Sequence, residues 1–400
     1  MKYTLPLVLL GMGLPAFAGQ EVAAPATAKD TSFNFCEWLE NKPGLLYKNK
    51  DNPILQSFQI GGRFQWQAAY VDGDDVNGRD FNDTYDEYRR FRIETKTEFL
   101  RFFSAKVGVN MVNDQRFNGL DLDWGYDTFD EAVFTFDIKK AFDVDALDTL
   151  KLNYGRHKFV LSDEVRTSSK EIITIERSGI GNKVYNSARP TGVTVDLAKG
   201  AWSGNVGIFS GEDDSEFIGG WNDGIAYYAS VGYKVSDSLE LHWDNVYNDQ
   251  EDADDFLGYK WATALNATWE QDRWGFTGSL IVGENNGDGA RGGNFYGLVA
   301  MPWYWIVEEK LQAVVQYQYA GASEEEGIRV NGRYLRAEHS PGVNTNSGRG
   351  DQNHTLYAGL NYYICDHNAK IMAGVEYNTL DTPVGDVDAL SYLIAFRTFF

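Results

Sequence analysis

Beyond its first eighteen residues this sequence has no stretch approaching the ~18 consecutive apolar residues that a membrane-crossing helix requires, so a helical membrane protein is excluded. Histidine and cysteine are scarce, at five and two residues in 400. The histidines at 157, 242, 339, 354 and 367 are scattered. No nucleophile elbow, cysteine–histidine pair or zinc-ligand spacing is present, so neither an enzyme nor a cofactor or metal site is expected. Basic residues are also outnumbered, 36 Lys and Arg against 58 Asp and Glu. Binding a phosphate backbone needs a basic face, so nucleic acid is excluded as a partner. The acidic runs at 72–75, 211–216, 248–255 and 324–326 lack the spacing of a twelve-residue calcium loop.

What is abundant points elsewhere. Residues 1–18, MKYTLPLVLLGMGLPAFA, place Lys2 before a short apolar stretch from Leu5 to Leu14 and end in Ala16-Phe17-Ala18. That is the pattern of a cleavable secretory signal. Without it, 35 basic residues face 58 acidic ones, a net charge of −23. Forty-one Gly, 23 Tyr and 24 Phe suit a large sheet better than a helical bundle. An exported chain with this composition and no membrane helix reads as a transmembrane antiparallel β-barrel of the outer membrane of a Gram-negative-type bacterium.

The strand pattern supports that reading. In SFQIGGRFQWQAAY, Phe58, Ile60, Phe64, Trp66, Ala68 and Tyr70 share one parity, and Gln59, Arg63, Gln65 and Gln67 the other. In EYRRFRIETKTEF, Phe91, Ile93 and Phe99 interleave with Arg90, Arg92, Glu94, Lys96 and Glu98. Apolar residues would meet lipid and polar ones a wet lumen. Alternation of this kind predicts about sixteen strands, near 56–70, 87–99, 102–112, 128–139, 149–159, 190–198, 202–210, 224–235, 238–248, 257–269, 273–283, 293–303, 309–320, 353–365, 369–379 and 388–400. Short turns such as 236–238 and 270–272 trade places with long loops at 71–86, 113–127, 161–189 and 321–352. Short periplasmic turns and long external loops are expected of such barrels.

The last strand, SYLIAFRTFF, tests the idea on a single residue. Tyr392, Ile394, Phe396 and Phe400 would face lipid and Arg397 the lumen, since a mid-depth arginine facing lipid costs ~2–4 kcal/mol. A terminal Phe on this parity resembles the signal by which outer-membrane barrels are recognised for assembly. Residues 19–55 form an N-terminal periplasmic segment, with a possible short helix at Cys36–Asn41 stopped by Pro43-Gly44. The predicted fourteenth strand ends at Cys365 on the same side, which suggests a Cys36–Cys365 disulfide; two independent buried thiols are the alternative. The barrel itself would span 56–400.

The loop LSDEVRTSSKEIITIERSGIGNKVYNSAR carries a more specific signal. Thr167-Ser168-Ser169-Lys170 followed by Ile175-Glu176-Arg177-Ser178 resembles the phosphate-selective porin O and P family, and FQIGGRFQWQAAYVDG and Arg89-Arg90-Phe91-Arg92 are similar to it too. The resemblance implies an inward-folded loop that narrows the lumen, a homotrimer, and basic side chains that guide anions. By position it assigns Arg166, Ser168, Ser169 and Lys170 to a constriction, with Arg90, Arg92, Arg63 and Arg397 along the lumen. Ser168 and Ser169 could instead shape a local turn, and Arg177 an ion pair with Glu176. Inward positions are mixed in sign: Arg63, Arg90, Arg92, Lys96, Lys106, Lys260, Lys370 and Arg397 share the lumen with Glu94, Glu98, Asp137, Glu240, Asp244 and Glu376. The expected function is passive diffusion of small hydrophilic solutes, with a preference for anions such as phosphate as the inherited possibility. The alternative is a structural or surface-interaction barrel with an occluded lumen, in which loop 321–352 binds a partner.

Overall fold

The computed structural model describes residues 34–112, 125–185, 189–211, 217–221, 224–249, 257–330 and 332–400. The signal sequence, residues 19–30 and most of the acidic runs 211–216 and 248–255 lie outside the described residues. Seventeen strands form a single antiparallel sheet. A short β1 (Leu45–Lys48) is followed by β2 (Leu55–Asp74), β3 (Asp80–Phe99), β4 (Phe103–Val112), β5 (Thr128–Asp137), β6 (Thr149–Arg156), β7 (Thr191–Lys199), β8 (Trp202–Ser210) and β9 (Ile225–Lys234). Then come β10 (Leu239–Asn248), β11 (Tyr259–Gln271), β12 (Trp274–Asn285), β13 (Asn294–Val307), β14 (Leu311–Ala322), β15 (Gln352–Cys365), β16 (Ala369–Thr382) and β17 (Gly385–Phe399). Four short helices accompany them: α1 (Phe35–Glu40), α2 (Ile138–Phe142), α3 (Asp163–Arg166) and α4 (Gly179–Tyr185).

Strands β2 to β17 pair in chain order, and β17 returns to pair with β2 from Asp388↔Asp74 to Phe399↔Arg63. The sixteen-stranded sheet is therefore a closed barrel with no free edge. Below the last β17 contact, the Phe400 N–H donates to Gly62 O at 3.1 Å, the Ile60 N–H donates to Gly44 O at 2.8 Å, and β1 pairs with Ser57–Gln59. The edge of β2 thus passes from β17 to β1 without a gap. The disulfide Cys36–Cys365 fastens α1 at this same end, with the two Cα atoms 4.9 Å apart.

The parity read from sequence decides which side chains are wet. On β17, Tyr392 and Ile394 are 50% and 45% exposed on the outer face, whereas Arg397 is 1% exposed on the inner face. Tight turns cluster at the α1 end, where Leu100, Arg101, Asp272, Glu309 and Asp366 take positive φ; Leu100 and Arg101 together match the two-residue turns that favour right-twisted hairpins. Longer loops gather at the other end. The long loop expected over 71–86 is a correction: β2 and β3 run on past it, leaving a turn of 75–79 whose N–H groups at Asn77 and Arg79 are held by the Asp75 carboxylate. Asp137, expected to face the lumen as a charge, caps α2 by accepting from the Lys140 N–H at 3.0 Å. Lys260, expected inside, is exposed on a bulge of β11 and pairs with Glu284.

Candidate functional site: a loop-filled lumen

The segment between β6 and β7, described over residues 157–185 and 189–190, enters the barrel and is tied to its wall on many sides. At α3, the Asp163 carboxylate accepts from Thr268 on β11 at 2.9 Å and Arg166 bonds both oxygens of Asp244 on β10 at 2.9 Å. Further along, Ser169 is held by Arg63 and Gln65 of β2, the Ile172 carbonyl by Lys370 of β16, the Ile173 carbonyl by Asn361 of β15, and the Ile175 carbonyl by Arg397 of β17. The chain then returns to β14, where Gln318 accepts from the Ile180 N–H at 2.8 Å, and to β12, where Asn285 accepts from Lys183 at 2.7 Å. A loop inside a barrel has no ladder partners of its own, so wall side chains must satisfy its backbone. The glutamines, asparagines and cations of the lumen do this.

A second loop, between β14 and β15, also folds inward. Ile328, Val330, Tyr334, Leu335 and Ala337 are buried. Tyr334 donates to Glu87, and Arg333 makes a two-pronged bond to Glu87 with both contacts at 2.7 Å. Glu176 joins the two loops to one strand: Arg89 of β3 lies 2.7 Å from it and Arg333 3.7 Å. Burial opposes ionisation of Glu176, but Arg89 and Arg333 hold its carboxyl well below the usual range. Gly179 of α4 passes so close to the second loop that a Cβ there would meet Val330 O at 1.7 Å.

Two apolar clusters seal loop to wall. One joins Leu161, Ile180, Val184, Ile328 and Val330 to wall residues of β8–β14, and the other joins Ile175, Tyr334 and Leu335 to β13–β17, β2 and β3. The remaining sector, β2 to β7, is lined by charge. Arg63 and Lys170 share Glu94; Arg92 and Arg189 share Asp130, at 2.8 and 2.9 Å; Arg189 and Lys106 share Glu131. Lys158 and Arg177 join this group while donating to backbone carbonyls, of Val165 at 2.7 Å and of Glu164 and Thr167 at 2.6 and 2.9 Å. Seven cations thus face these three carboxylates, and Asp196 of β7, accepting from Asn153 at 2.8 Å, is a fourth on the same wall. Arg63 and Arg92 sit directly opposite each other across β2 and β3, and each keeps a buried Nε with no protein acceptor. Such donors suit an oxyanion, to which guanidinium makes charge-assisted bonds.

The predicted residues divide by role. Arg63, Arg92 and Lys170 meet in this charged sector. Ser169 is a wall contact of the loop, while Ser168 shapes a turn, its Oγ accepting from the Lys170 N–H at 3.3 Å. Arg166 and Arg397 are inside but anchor the loop, Arg166 to Asp163 and Asp244 and Arg397 to a carbonyl. Arg90 donates to Gln65 at 2.8 Å. Arg177 holds backbone carbonyls rather than Glu176, whose partners are Arg89 and Arg333. Of loop 321–352, the partner-binding element of the alternative reading, Ile328, Val330, Tyr334, Leu335 and Ala337 are buried in the two apolar clusters. Residues that sequence reasoning missed include Arg89, Lys158, Arg189, Asp130 and Arg333. Arg89 escaped because a bulge between Gln65↔Arg90 and Trp66↔Tyr88 places it beside Arg90 on the inner face, where strict alternation would turn it outward. Among the described residues, no group of three His, Cys, Asp or Glu side chains could hold a metal ion.

Known proteins resemble the chain at two levels. The sequence profile described as phosphate-selective porin O and P matches residues 58–334. No curated protein matches the sequence. Among solved structures, OmpT of Vibrio cholerae superposes with a TM-score of 0.57 at 10% identity, covering 89% of this chain and 99% of its own; OmpT is also known in a trimer form. The outer-membrane channel DcaP of Acinetobacter baumannii gives 0.55 at 13% identity over 89% and 100% of the two chains. An anion-selective porin from Comamonas acidovorans gives 0.56 at 11% over 86% and 99%. At such identities these structures establish the fold, and the family match covers more than half of the sequence. The chain belongs to the phosphate-selective porin O and P family, non-enzymatic outer-membrane channels of Gram-negative-type bacteria.

Proposed function

We propose that this barrel is a homotrimeric diffusion channel for small hydrophilic solutes that favours anions, phosphate among them, with no catalytic activity of its own. The β2–β7 sector is the permeation path, and the α1 end faces the periplasm, with residues 19–55 as its N-terminal segment. The observation that carries the reading is the excess of cations in this charged cluster, seven against Glu94, Asp130, Glu131 and the nearby Asp196, in a chain of strongly acidic composition. Charges beyond ~8 Å are screened at physiological salt, so the local balance outweighs the distant acidic loops. Because the basic side chains are already bonded to carboxylates or carbonyls, an anion would exchange partners rather than meet bare charge, which suits passage more than capture. The anion selectivity of the Comamonas porin and the trimer form of OmpT agree with this reading. Reversal potential in a KCl gradient tests it. A value displaced toward the chloride potential is expected; one at zero or toward potassium would overturn the anion preference.

A further inference from the structure

Outside the charged β2–β7 sector, the anchor of α3 on β10 and β11 contains a histidine held between two carboxylates. His242 of β10 is 8% exposed and lies on the inner face of the wall. Its Nδ1 is 3.4 Å from Asp163 Oδ1 of α3, and its Nε2 is 3.2 Å from Glu240 Oε1, one inward position along the same strand. A neutral imidazole carries one N–H and can donate to only one of these oxygens, whereas an imidazolium donates to both. At the present spacing the buried Nδ1 makes no hydrogen bond among the described residues.

The surroundings favour an added proton. On β9 the ring packs directly over Gly232, where a Cβ would meet Nε2 at 2.8 Å, and Tyr228 is engaged with Val160 O. Lys234 of β9, opposite Glu240, pairs with Asp237 instead. From β11 come only the neutral Asn266, opposite His242, and Thr268, which donates to the second oxygen of Asp163. Arg166 is shared between Asp163 and Asp244. Three carboxylates, Asp163, Asp244 and Glu240, therefore have one bonded cation among them until His242 is charged. Burial opposes ionisation of Asp163, but His242 and Arg166 hold its carboxyl below the usual range. We propose that His242 is a pH-sensitive latch on the inserted loop. In acid it bridges Asp163 and Glu240 and fastens α3 to β10; in alkali it lets go of one of them and α3 lifts more often. The latch goes beyond the anion preference and is independent of which solute passes.

Hydrogen–deuterium exchange of the detergent-purified protein tests this. The amides of Val165, Arg166 and Thr167 donate to carbonyls of Ser162, Ser162 and Asp163 at 3.0, 2.9 and 2.9 Å, and exchange when α3 opens. Their protection, each rate taken relative to the intrinsic rate at that pH, is expected to be about tenfold greater at ~pH 5.5 than at ~pH 8, the worth of one charge-assisted bond. The Asn182 N–H of α4, bonded to Ser178 O at 3.0 Å in a helix anchored on β14 and β12, is the internal reference and should not change. His242→Gln is expected to abolish the step in α3. Glu240→Gln, which leaves the ring one carboxylate, should shrink it. Heat-modifiable gel migration verifies that the variants are folded barrels. Equal protection of α3 at the two pH values in wild type, or a step that survives in His242→Gln, overturns the proposal. Should His242→Gln not fold, an undiminished step in Glu240→Gln overturns it instead. Exchange is read without current, so the latch and the channel's anion preference can fail separately.

Discussion

Lys158 differs from its neighbours in the charged sector because its ammonium donates to a carbonyl, not a carboxylate. Burial, followed by Arg189 and Arg177, pushes it down to about 7 from an ordinary 10.5, while Glu131 opposes the shift. Below that value it is charged and above it neutral, so the sector loses one positive charge as pH rises through neutrality. The anion-to-cation permeability ratio is expected to be larger near ~pH 6 than near ~pH 8.5, and Lys158→Met should flatten that step. A wild-type ratio that does not move over this interval would contradict the assignment. Lys170 and Arg166 make a contrasting pair. Lys170→Glu opposes Glu94 and should shift the reversal potential toward cations. Arg166 is already neutralised, and removing it leaves Asp244 buried with a partner gone, at a cost of about 3–5 kcal/mol. Arg166→Gln is therefore expected to loosen α3 and raise unitary conductance while ion preference keeps its sign. A reversed preference would move Arg166 back into the permeation path.

Among the elements, strands were legible and loops were not. Each of the sixteen barrel strands overlaps the segment that alternation predicts for it, with β2 and β3 running on through the expected 71–86 loop, because a wall with lipid outside and water inside imposes period two on each segment. Loops obey no such period. Nothing in the spacing of residues 321–352 reveals that Tyr334 would reach Glu87, since that contact depends on how the chain turns after Ala322. The TSSK run pointed to the correct loop but to mixed roles: Lys170 lies in the charged sector, Ser168 serves a turn and Arg166 serves an anchor. Arg397 was correctly turned inward by parity, yet its use as a tether for Ile175 needed the loop's path. Gly179 gives an element-level test. Gly179→Ala sets a methyl against Val330 O and should part the two inserted loops, seen as noisier and larger conductance steps; unchanged traces would mean that the loops are not locked together there. The disulfide gives another. Cys36→Ser should speed cleavage after Glu40 by a glutamate-specific protease as α1 frays, and leave conductance unchanged because the barrel closes through β17 and β2. Equal cleavage rates would show that β1 pairing alone holds the segment.

For the whole molecule, two environments and one insertion explain most of the sequence. The outer face carries the aromatic and aliphatic side chains, and the inner face carries the amides and cations that receive an inserted loop. Charged wall residues at Arg63, Asp244, Lys370 and Arg397 bind that loop alongside the apolar clusters, so an acidic exported protein keeps a net positive stripe within it. The central claim is that the loop of residues 157–190 narrows a water-filled path without closing it. Unitary conductance in planar bilayers tests this most directly. Wild type should give small ohmic steps, and the Arg166→Gln/Lys370→Met variant, released from β10 and β16, distinctly larger ones. Electrical silence from wild type, or steps of equal size in both proteins, would contradict it.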